Sequence, residues 1–111
     1  MKRRLLQQSL DLSTEIHALI DQVPEDKASE DTEQVKTLSL TVQSHLVRSQ
    51  KREAEELLET LESALTSITE LETKMLETVK QRRLKKMTIN PILAKMKELE
   101  TDIKVVAGQR I

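Results

Sequence analysis

The sequence predicts an all-α protein: antiparallel helical hairpins or a bundle built on one long central coiled-coil helix. Three observations carry that expectation. Apolar side chains recur at spacings of three and four along most of the 111 residues, as helices that bury one face require. Phe, Tyr and Trp are absent, so the core has to be made of aliphatic seams, which helix-on-helix packing buries well. Only one Gly and two Pro interrupt the chain, so its elements are few and long.

The first helix is expected at about residues 3–22. Leu5, Ser9, Leu12, Ile16, Leu19 and Val23 are spaced 4, 3, 4, 3, 4, and Leu6, Leu10 and Ile20 widen the face. Pro24 stops it, because the residue before a proline is pushed out of helical geometry. Residues 24–31 are polar and acidic and read as a loop. Asp31 takes the N-cap position of the next helix, with Gln34 three residues on in a capping box.

The second helix is expected at about 32–87. Leu40, Val47, Ala54, Leu61, Ile68 and Met75 hold a period of seven. Asp31 and Glu33 at its start and Lys80, Arg82, Arg83, Lys85 and Lys86 at its end suit the helix macrodipole. Glu70 and Lys74 form an i,i+4 pair. The weak point is the polar stretch 44–56, where basic residues give way to acidic ones. A break near Ser49 would turn three helices into four. No Gly or Pro stands there, so the sequence favours continuity. Asn90 and Pro91 have the N-cap and first-turn preferences that open a third helix at about 91–107, leaving 88–90 as a loop. Ile92, Met96, Leu99, Ile103 and Val106 are its seam, and Gly108 is its stop. All of 1–111 reads as one domain.

These lengths imply a partner. At 1.5 Å per residue the long helix would run about 84 Å, and its neighbours about 28 and 25 Å, leaving roughly 30 Å of seam bare. A protein partner is therefore expected on Ala54, Leu57, Leu61, Ala64, Leu65, Ile68, Leu71 and Met75, either as a homo-oligomer or as a heteromeric coiled-coil subunit. If the helix breaks near Ser49, a four-helix bundle closes that seam internally. The alternative is then a self-contained three- or four-helix adaptor or co-chaperone module that reads its target through a polar patch. Lys80, Arg82, Arg83, Lys85 and Lys86, five basic residues in a span of seven, form that patch and suit an acidic partner. Nucleic acid and membrane are disfavoured as partners. The net charge is −1, and no aromatic side chain is present to stack on bases.

Enzymatic chemistry is not expected. No GxSxG elbow, Gly-rich phosphate loop or cysteine occurs, which removes the usual nucleophile and phosphate motifs. His17 and His45, the two histidines, lack the spacing of metal ligands. The many glutamates fall mainly outside the apolar lines and read as solvated helix faces. No catalytic, cofactor-binding or metal residue is assigned, and no cofactor. Nothing approaches the roughly 18 consecutive apolar residues of a membrane span. The expectation is a non-enzymatic intracellular interaction or scaffold protein, cytoplasmic or nuclear.

Overall fold

Four helices make up the fold: α1 (Lys2–Asp21), α2 (Glu30–Ser49), α3 (Ala54–Lys80) and α4 (Lys86–Gln109). The computed structural model describes residues 2–25 and 30–109, with no strand among them. Each helix packs on two neighbours, α1 on α2 and α4, and α3 on α2 and α4, while the diagonal pairs do not meet. The result is an up-and-down square bundle of 47 × 20 × 18 Å. One aliphatic core runs its length, from Leu5, Ile16, Val35 and Leu46 to Leu61, Ile68, Met75, Met96 and Ile103, all fully buried.

The continuous helix expected at 32–87 is corrected to two helices. The last turn of α2 unwinds through i−3 bonds, from the amides of Gln50, Lys51 and Arg52 to the carbonyls of Val47, Arg48 and Ser49 at 3.2, 3.1 and 3.3 Å. The turn is poor locally. Ala54 sits at a left-handed φ of 53°, and Glu53 gives α3 no side-chain cap. Breaking a helix forfeits about four backbone hydrogen bonds, each worth about 0.5–1.5 kcal/mol net. Folding back buries Leu57, Leu61, Ile68, Leu71 and Met75, each worth about 1.5–3 kcal/mol. Burial wins. The N-terminus of α1 then ties the turn down: Lys2 Nζ donates to the Arg52 carbonyl at 3.2 Å, and Gln50 Nε2 donates to the Lys2 carbonyl at 2.8 Å.

The apparent period-seven line crosses two different seams. The interior of α2 is Thr32, Val35, Ser39, Val42, Leu46 and Ser49. Carried forward, that phase would reach 53, 56, 60 and 63, whereas α3 buries Leu57, Leu61 and Ala64, one residue out of step. Leu40 and Val47 accordingly stay 47% and 46% exposed, while Leu61, Ile68 and Met75 are fully buried.

The last boundary also moves. α4 starts at Lys86, with Pro91 inside it, so Asn90 is not its cap and 88–90 is not a loop; residues 81–85 are. The Lys85 carbonyl accepts the Thr88 and Ile89 amides at 3.0 and 3.2 Å. This earlier start buries Ile89 completely. Pro91, the sixth residue of α4, forfeits the bond its amide would have made to the Met87 carbonyl. Asp31 lies inside the first turn of α2, which opens at Glu30, and so is not its N-cap. Lys74 pairs with Asp31 and Glu77 at 3.3 and 3.2 Å, in place of the expected Glu70.

α3 ends in a Schellman turn. The Arg83 amide donates to the Thr78 carbonyl at 2.9 Å, and the Arg82 amide to Val79 at 3.0 Å. Arg82 holds the left-handed position with φ 61°, where glycine is normally preferred. Arg82→Gly is therefore expected to raise stability by about 0.5–1 kcal/mol, and Arg82→Val to lower it by a similar amount. Urea denaturation checks both signs; a destabilised glycine variant would contradict the strain assigned to this turn.

Candidate partner interface

The residues expected to form a partner seam lie in the interior. Leu61, Ala64, Ile68, Leu71 and Met75 are fully buried and Leu57 nearly so. Leu65 is half-buried, and only Ala54, at the turn, is exposed. α2 and α4 take the place against α3 that a second chain would fill.

The basic cluster is displayed instead. It forms the turn between α3 and α4, at the end of the bundle where α1 also finishes. Lys80 closes α3 and Lys86 opens α4, both exposed; Arg82 and Lys85 are exposed and Arg83 half-exposed. Arg82, Arg83 and Lys85 rim a groove of about 450 Å³ whose apolar walls are Leu19, Val23, Pro24 and Leu84. Leu84 is only 6% exposed and anchors the turn to the core. Met87, one residue into α4, is 86% exposed.

Charge pairing separates this end from the helix sides. Along the helices, Arg4 pairs with Glu98 and Asp102, Lys36 with Asp21, Lys97 with Glu72, and Lys104 with Glu100. Lys95 pairs with Glu15. Lys80, Arg82, Lys85 and Lys86 make no ion pair among the described residues. The other end is basic too: Arg52 pairs with Glu56 at 3.2 Å and Lys2 is used by the turn, while Arg3, Arg48 and Lys51 make no ion pair among the described residues.

The helix dipole sharpens the contrast. Lys80 lies at the negative end of α3, where a cation is favoured. Lys85 and Lys86, however, cap and open α4, which has no acidic residue in its first turn. Cations at the positive end of a helix oppose its dipole. Reading the cluster simply as a helix terminus complementing its dipole therefore fails for these two.

The first turn of α2, with Glu30, Asp31 and Glu33, reaches this end through Asp31. Asp31 Oδ2 accepts from Gln81 Nε2 at 2.8 Å, and Oδ1 accepts from Lys74 Nζ at 3.3 Å. Those two hydrogen bonds hold its carboxyl below the usual range, and the nearby charges of Lys74 and Arg83 add to the effect.

Elsewhere the surface is less distinctive. A groove of about 440 Å³ between α2 and α3 has Leu38 among Thr37, Thr69 and Thr73, with Glu70 and Lys74 on its rim. Its charges balance, so it favours no sign of ligand. His45 bonds through Nδ1 to Arg48. Partial burial, and then the Arg48 charge, lower its pKa. His17 is on another helix, and no group of three or more His, Cys, Asp or Glu able to hold a metal occurs among the described residues. No helix there is long and apolar enough to cross a membrane.

No family model matches the chain, and no curated protein and no solved structure is found to resemble it. Fold and surface together define its class: an antiparallel four-helix bundle with a closed aliphatic core and an exposed basic turn between α3 and α4. Sequence reasoning found the five cations but missed the groove. Leu84, the apolar residue within the cluster, was the available signal; Leu19 and Val23 were legible only as seam positions of α1.

Proposed function

We propose that this chain is a non-enzymatic, self-contained four-helix interaction module that docks an acidic partner protein on the turn between α3 and α4. The supporting observation is the placement of Lys85 and Lys86 at the positive end of α4, with no acid in its first turn and no ion pair of their own among the described residues. The arrangement is electrostatically unfavourable in isolation. An incoming carboxylate relieves it without first breaking an existing bond.

This reading makes stability and binding move in opposite directions. Lys85→Glu with Lys86→Glu is expected to stabilise the bundle by about 0.3–1 kcal/mol per residue. The same change should weaken binding of a polyglutamate peptide at least tenfold, an order-of-magnitude loss for two favourable charge contacts. Thermal melts and fluorescence anisotropy on the same samples measure both. Unchanged peptide binding removes the site, and a lower melting temperature removes the dipole argument. Light scattering should also return a helical monomer at every concentration. A dimer that loses helix on dilution would favour association through the seam of α3 over this module.

A further inference from the structure

We infer that the groove under the basic turn takes a short acidic peptide segment carrying one apolar side chain, with its carboxylates on Arg82 and Lys85 and its apolar group between Leu19, Val23 and Leu84. This rests on the acidic-partner reading above and specifies what that partner presents. The groove joins two kinds of surface. Its rim is cationic, and Arg82 and Lys85 have no ion pair among the described residues. Its walls include Leu19 and Val23, which pack against the core from one side and stay partly open on the other. The volume of about 450 Å³ lies within the range of ordinary ligand clefts.

Shape selects the class of occupant. A flat anionic membrane would meet the cations but leave a recessed apolar wall unfilled. A phosphate backbone would likewise use the charges alone. A peptide in which acids flank one apolar residue satisfies both surfaces at once. The α2–α3 groove offers apolar wall with balanced charge, and so lacks the complementarity that picks out a partner.

The test uses the full chain and two fluorescein-labelled peptides of nine residues, all glutamate except for a central leucine in one and alanine in the other. The leucine peptide is expected to bind about tenfold tighter, as burial of most of the added hydrocarbon predicts. Raising the salt should weaken both peptides while leaving their ratio intact, since charge is screened and apolar burial is not. Val23→Arg fills the recess with a further cation: it should erase the leucine preference and leave the alanine peptide bound as well as before or better. Equal affinity of the two peptides overturns the groove inference but leaves the acidic-partner reading standing. Binding of neither peptide sinks both. Tighter association with phosphatidylserine vesicles than with either peptide would replace the peptide by a membrane surface.

Discussion

Replacing Leu61 and Ile68 together with aspartate is expected to melt the protein. Both side chains are fully buried in α3, among aliphatic neighbours that offer a carboxylate nothing to bond. An uncompensated buried charge is destabilising by about 3–5 kcal/mol. Two of them rival the whole stability of a domain this size, about 5–15 kcal/mol. A seam exposed on a long helix would respond differently: association would be lost and the helix kept. Circular dichroism at 222 nm and light scattering on one sample separate the two outcomes. A double variant that stayed helical while its mass fell would return Leu61 and Ile68 to the role of partner contacts.

Ala64→Leu is expected to cost about 1–3 kcal/mol, although it only adds hydrocarbon to a hydrophobic core. α2 and α3 share the most extensive helix–helix contact in the bundle, and both bury small side chains. Ser39 of α2 and Ala64 and Ser67 of α3 are all buried. The Ser39 hydroxyl donates back to the Lys36 carbonyl at 2.7 Å, so it needs no partner across the interface. α4 buries Ile89, Ile92, Met96, Leu99, Ile103 and Val106, with no small residue among them, and makes less extensive contact with each of its neighbours. A leucine at 64 has to push α3 away from a neighbouring helix or leave its rotamer. The urea midpoint should fall with the slope unchanged. An unmoved midpoint would mean that spare volume exists at that level and that small side chains do not set the spacing.

The long helix misread at 32–87 has a specific cause. Thr32, Ser39 and Ser49 are interior positions of α2, yet as polar residues they gave no apolar signal. Leu40 and Val47, on the outer flank, then joined Leu61 and Ile68 in a line that looked continuous. The one-residue slip between the two seams was present in the chain but hidden by those hydroxyl residues. The polar stretch 44–56 did mark the place of the break. The start of α4 was misjudged in a similar way: Asn90-Pro91 carried the local preferences of a helix start, but burial of Ile89 and Leu84 drew the helix back to Lys86.

What the sequence determined by itself was the all-helical class, the first helix with its end before Pro24, the aliphatic identity of the core, and the five cations between residues 80 and 86. These are local properties, set by spacing, propensity and composition. Tertiary structure alone decided whether the α3 seam faces a partner or its own chain, because a helix folds back only when the buried area outweighs a strained turn. It also decided that Lys85 and Lys86 open a helix, where they oppose its dipole, and that Leu19 and Val23 of α1 meet Leu84 to wall a groove. The groove depends on residues more than 60 positions apart in the chain, which no local pattern brings together.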